Sequence, residues 1–227
     1  MSWFDVQRRQ DGSLRVSIGD GIGEWESDVE VFKRAIGETE SIELYLNSSG
    51  GDARTADAIF HLLRERNAVV TIKKAYSAAA LISQGARVRR IETGGQIMFH
   101  TASSAVYGDA PALSACAAWL RGMDLETQSV LAERTKLAPS TIQEWFTESG
   151  RYFNADEAKE FCLVDEIIPA TPAGITSPSA ESSPTGFTDG EALLLDLLRA
   201  ACPVTTRNRP RLARELSVFM AYQVIDG

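Results

Sequence analysis

The chain carries only two histidines, so a reaction that needs an imidazole base has two possible addresses. His61 lies in residues 56–66, where Ala56, Ile59, Phe60, Leu62 and Leu63 recur near helical spacing, and reads as a helix-surface or partly buried residue. His100 ends the strand-like run GQIMFH and is followed by the small residues TASSA. Loops at the carboxyl ends of parallel strands are where α/β proteins place their sites. Ser77 has the same kind of address, after AVVTIKKA and at the start of a helix built from Ala78, Ala79, Ala80 and Leu81. A serine there commonly caps the helix. The same helix start offers free amides and positive potential, which suit a nucleophile equally well. Gly50-Gly51 follows the strand SIELYLN and is either a plain turn or a pair of amides open to an oxyanion. Amide hydrolysis by a serine needs a base, fixed donors for the oxyanion and a held substrate. Ser77, His100 and the glycine pair together supply those parts.

The elements that must position them read as an α/β domain. LRVSI at 14–18 alternates as a strand, 28–37 is an amphipathic helix, and SIELYLN is a second strand. A helix from Asp52 to Arg66, the strand AVVTIKKA, the small-residue helix and the strand GQIMFH complete two strand–helix–strand units. Such units argue for a mostly parallel sheet with crossover helices. Residues 109–136 and 138–148 read as helical, 155–161 as a short helix, and LVDEII as a closing strand. The domain is expected at 1–169. Residues 170–190, rich in Pro, Ser, Thr and Gly, read as a linker, and 191–227 as a helical appendage.

Composition narrows the classes. The 227 residues are 44% hydrophobic and 24% charged, enough for a globular core. A net charge of -8 argues against nucleic acid as a partner. The short basic runs (Arg87, Arg89 and Arg90; Arg207, Arg209, Arg211 and Arg214) read as solvated surface or subunit contacts. Three cysteines without metal-type spacing fit reduced thiols in a cytoplasmic protein. The first residues meet charge at once, unlike a signal peptide, and no apolar run reaches the ~20 residues needed to span a bilayer. The pattern calls for no metal and no cofactor.

IELYLNSSGGD, AYSAAALISQGA, GQIMFH and YFNADEAKEFCLVDEII resemble four signature segments of the Clp protease proteolytic subunit. The separation of Ser77 from His100, the short N-terminal strand and the turn IGDGIG are most similar to the phage head-maturation branch of that family. The resemblance covers roughly residues 14–168. It implies a crotonase-like spiral of ββα units that assembles into a homo-oligomeric ring. It also implies a polypeptide substrate, Ser77 as nucleophile, His100 as general base, and Gly51 with the Ala78 amide as the oxyanion hole. A separate ATPase unfoldase, or capsid and scaffold proteins, are the partners it implies. The chain has no P-loop pattern of its own.

Two departures stand out. Lys73, Lys74, Ala75 and Tyr76 precede the serine where the family has glycine and small residues, so Tyr76 is expected to crowd or reshape the site. The family's triad aspartate falls at Gly150, which leaves the third role unassigned, with Glu148 and Asp156 as candidates. Two other readings stand beside the peptidase: a catalytically weak or inactive structural or regulatory subunit, and a crotonase-fold acyl-CoA enzyme. A Ser/Lys dyad using Lys73 or Lys74 is a variant within the peptidase class.

Overall fold

The computed structural model describes residues 3–19, 21–23 and 28–170. The expected linker and helical appendage, from residue 171 on, lie outside the described residues, as does Cys202. In chain order the elements are β1 (Phe4–Arg8), β2 (Leu14–Ile18), α1 (Asp28–Ile36), β3 (Ser41–Ser48), α2 (Ala53–Glu65), β4 (Asn67–Tyr76) and α3 (Ala78–Gly85). They continue with β5 (Val88–Phe99), α4 (Ala110–Thr135), α5 (Pro139–Gln143), β6 (Arg151–Asn154), α6 (Ala155–Glu160) and β7 (Glu166–Ile168).

The sheet runs β1-β2-β3-β4-β5-β6, with β7 also on β5. Strands β2 to β5 are parallel neighbours and β7 is parallel to β5, while β1 and β6 pair antiparallel at the two ends of the path. The expected mixed α/β architecture is thus present, with β1 as a strand that the sequence pattern did not announce. Strand β5 is also longer than GQIMFH. Its first half, Val88–Glu92, pairs with β4 and β7, and its second half, Gln96–Phe99, pairs with β4 and β6.

Strand β4 shows why the sheet is a core element. Ala68, Val70 and Ile72 alternate into the interior, and the register slips between Ile72 and Lys74. The slip leaves Lys73 exposed and returns Ala75 to the buried face. Helix α2 starts on Asp52, whose carboxylate accepts from the Thr55 amide at 2.7 Å, and buries Ala56, Ile59, Phe60 and Leu63. Helix α3 is buried on every side. Its two polar residues are satisfied internally: Ser83 Oγ donates to the Ala80 carbonyl at 2.6 Å, and Gln84 Nε2 donates to the Leu163 carbonyl at 3.2 Å. Helix α5 stops at Gln143, earlier than its pattern suggested. Trp145 then turns inward, and its ring packs edge-on against Phe153 and Phe161 at 4.8 and 5.7 Å.

The basic run at 87–90 is not all solvated surface. Arg89 is 5% exposed, and it gives Nη2 to Asp165 Oδ1 at 2.7 Å and Nη1 to both Gln84 Oε1 and the Cys162 carbonyl at 3.0 Å. A guanidinium with five fixed donors can tie α3, β5 and the turn before β7 in a way a lysine cannot. Arg87 and Arg90 fit the solvated expectation better, since Arg87 is exposed and Arg90 pairs with Glu166 at the surface. Cys116 is buried, Cys162 is exposed, and both are free thiols. No helix among the described residues is long and apolar enough to cross a membrane.

Burial pushes the Asp165 carboxyl up, but hydrogen bonds from the Arg89 side chain and amide outweigh it and hold the group below its usual range. The stability this pair contributes is therefore present above the unfolded carboxylate pKa and lost as pH falls through the folded one. Asp165→Ala should cost about 1–3 kcal/mol, because the Arg89 guanidinium stays buried without its carboxylate. Urea unfolding at pH 7 and at pH 3 measures this. The difference between wild type and variant should shrink at the lower pH.

Candidate active site

Ser77 and His100 come together. The hydroxyl of Ser77 lies 2.7 Å from His100 Nε2, across 23 positions of sequence. The two residues sit just past the ends of adjacent parallel strands, with Tyr76 registered against Met98. The Ser77 amide donates to the Met98 carbonyl at 2.9 Å, and the Ser77 carbonyl accepts from the Ala80 amide at 3.0 Å as α3 begins.

Ser77 occupies the N-cap position of α3 but its side chain makes no cap bond. Its backbone lies at φ 54°, ψ -120°, in a region that costs a residue with a side chain about 1–3 kcal/mol. The common capping role is thus set aside, and the strained turn aims Oγ at the imidazole. Gly50 makes the turn possible from the other side. It lies at φ +107°, and a Cβ there would fall 2.8 Å from the Tyr76 carbonyl oxygen and 2.9 Å from Ser77 Cβ. Gly51 bridges to Ile22, whose amide donates to the Gly50 carbonyl and whose carbonyl accepts from the Asp52 amide.

One pocket is lined by Ser77, His100, Gly51 and Ala78, the four positions singled out in the sequence. Its apolar wall comes from Leu81, Phe99, Leu120, Met123 and Phe146. Burial pushes the His100 imidazole below its ordinary value, while the carboxylate of Asp124 partly raises it. Asp124, on α4, lines the same pocket, and its Oδ1 accepts from the Ala102 amide at 2.7 Å. Burial raises the Asp124 carboxyl, and the Ala102 amide and the charge of His100 pull it back.

The carboxylates that the sequence offered are elsewhere. Glu148 and Asp156 are exposed and line no part of this pocket. Gly150 lies at φ +70°, where a Cβ would meet Met98 Sδ at 2.8 Å, the Phe99 carbonyl oxygen at 2.9 Å and His100 Cβ at 3.0 Å. The position faces the histidine but has no room for a side chain.

Asp124 was missed, although its signal is in the sequence. Leu120, Met123, Thr127, Val130 and Leu131 recur at helical spacing, and an aspartate at 124 falls on that inward stripe.

Tyr76 does not crowd the pocket. Its hydroxyl donates to Gln96 Oε1, and its ring sits edge-on to Tyr152 at 5.4 Å. Lys73 is exposed and Lys74 Nζ donates to Ser49 Oγ at 3.0 Å, so neither lysine is the partner of Ser77. His61 stands outside the pocket, on the exposed side of α2, 3.4 Å from Asp57 and 3.9 Å from Glu126 of α4.

A serine hydroxyl bonded to a half-buried imidazole, beside a helix N-terminus and a glycine turn, is the arrangement of a serine hydrolase. The Clp protease family model matches residues 29–171, and the chain belongs to that family. It is 29% identical over 160 residues to the ATP-dependent Clp protease proteolytic subunit 3 of Rhodococcus jostii, covering 68% of this chain and 79% of the relative. The fold is similar to that of a mutant ClpP1 from Listeria monocytogenes, with a TM-score of 0.59 and 20% identity. That match covers 69% of this chain and 91% of the other. The mixed sheet and its structural neighbour agree with the crotonase-like fold expected from the sequence.

Gly50→Ala should displace the nucleophile, since the added methyl collides with backbone and with Ser77 itself. The expected result is at least a tenfold slower reaction of Ser77 with a fluorophosphonate, followed by intact-mass spectrometry. A rate equal to wild type would show that the turn does not position the serine.

Proposed function

We propose that this protein is a serine endopeptidase of the Clp proteolytic-subunit type, working through an acyl-enzyme on Ser77. The observation that carries the proposal is the 2.7 Å contact between Ser77 Oγ and His100 Nε2. Neutral His100 takes the hydroxyl proton as Oγ attacks the scissile carbonyl, then returns it to the leaving amine. Water attacks the acyl-enzyme by the same route in reverse. The amides of Gly51 and Ala78 serve as donors to the tetrahedral oxygen, as both residues face the pocket and Ala78 opens α3. The apolar wall favours a hydrophobic side chain next to the cleaved bond.

The substrate is an extended polypeptide, and the working form is an oligomer of identical chains in the manner of the family. An ATPase, where one is needed, is a separate protein, as the name of the Rhodococcus relative suggests. Gly150 favours one alternative, an inactive subunit of the same fold, because a Ser–His pair without a carboxylate is a weak catalyst.

Intact-mass spectrometry after fluorophosphonate treatment separates the two. Wild type should gain a single adduct that Ser77→Ala and His100→Ala both abolish. Folded wild type that gains none would favour the inactive subunit. The pH profile gives a second check. A base must be neutral to act, and burial lowers the His100 pKa, so reactivity should rise with a midpoint below pH 6.5 and level off above it. A profile still rising at pH 8 would contradict His100 as the base.

A further inference from the structure

We infer that Asp124, on α4, is the positioning residue for His100, filling from a helix the role that the loop at Gly150 leaves empty. The inference rests on the peptidase reading above. A Ser–His pair needs a carboxylate that favours the working tautomer of the ring and stabilises the imidazolium as the proton arrives. The pocket around His100 is walled by Ala53 and Ala56 of α2, by Ala78 and Leu81 of α3, and by Phe146 after α5. Asp124 is the one carboxylate among its described lining residues.

The carboxylate is held from the same loop that carries the histidine. Its Oδ1 accepts from the Ala102 amide at 2.7 Å, two residues past His100, so a shift of α4 moves both groups together. No hydrogen bond between Asp124 and the imidazole forms among the described residues, and the coupling runs through charge in a half-buried pocket. Such contacts are commonly long before substrate arrives and shorten in the complex. The alternative address is closed, because a side chain at 150 would collide with Met98, Phe99 and His100. Helix α4 is itself fixed: Arg134 Nη2 donates to the Gln84 carbonyl at 2.6 Å, and Arg54 of the α2 start stacks over Trp119 at 5.3 Å.

Asparagine at 124 keeps an acceptor for the Ala102 amide and removes the charge, so it separates a structural anchor from a positioning carboxylate. Asp124→Asn should keep the wild-type melting temperature yet react with a fluorophosphonate roughly 10²-fold more slowly, below the ~10⁴-fold of the directly bonded template. Its acid limb should also move to lower pH, because loss of the anion makes protonated His100 less stable. Asp124→Glu, which keeps the charge, should recover part of the rate. Proton NMR of the full chain tests the same coupling without activity. With two histidines, the resonance that His100→Ala removes identifies the ring, and its titration should fall in Asp124→Asn. An Asp124→Asn protein with wild-type rate and an unmoved His100 titration overturns the inference and leaves the peptidase standing. Wild type that never labels at Ser77 overturns both.

Discussion

The site exists because β4 and β5 run parallel and finish side by side. Their register sets Tyr76 beside Met98, so the residues that follow each strand end emerge about one strand spacing apart, near 4.8 Å. At that separation a serine from one chain end and a histidine from the next can share a proton without either backbone leaving the sheet. Everything else about the molecule can be traced to holding those two ends level. Between Ile72 and Lys74 the partner on β5 jumps from Ile91 to Gln96, so β5 takes up three more residues than β4 before the two ends arrive, and β7 and β6 brace the two halves of β5 from its other side. Arg89 closes the frame, since it joins β5 to Asp165 and to Gln84 at the end of the helix that Ser77 begins.

Holding the ends level has a local cost, and its source can be named. Ser77 sits in a backbone conformation that an ordinary residue avoids, at φ 54°. Strain of this kind persists only where neighbours over-determine it. Here α3 is buried on every face, the Ser77 amide is bonded to Met98, and Gly50 packs directly against the turn. The run of alanines after Ser77 has a double function. Their small side chains let α3 sink between the sheet and α2, and they leave the helix start open to a substrate chain.

Much of this was legible in the sequence, for reasons that differ by element. The strands SIELYLN and AVVTIKKA and the helix 52–66 have clean apolar periods, and the structure returns them within a residue or so. Ser77 and His100 were legible because both follow strands whose parallel order was itself predictable. The first half of β5 was not, since RVRRIE places arginines where a buried strand should be apolar. Asp165, with Gln84 and the Cys162 carbonyl, makes Arg89 tolerable there. Strand β1 was hidden for a related reason. It is an edge strand with polar positions at Asp5, Gln7 and Arg8, and its partner, not its composition, makes it a strand. The sequence pointed for a third member to the segment around Gly150, whereas the carboxylate that lines the pocket, Asp124, lies half-buried on the helical stripe of α4.

That last point bears on how the machinery is built. A carboxylate in the loop before β6 would be positioned by the sheet alone, through the pairing of β6 with β5. A carboxylate at 124 is positioned instead by the docking of a long helix. Helix α4 reaches the domain through Arg134 at the end of α3, through Glu133 beside Arg64, and through the Arg54–Trp119 stack. None of these contacts is part of the sheet, and the helix also presents Leu113 and Leu125 to solvent, the latter 66% exposed. Ser77 and His100 are held through the sheet, and on the reading proposed above the charge beside the imidazole is held through α4, which the Ala102 amide ties to the loop after His100.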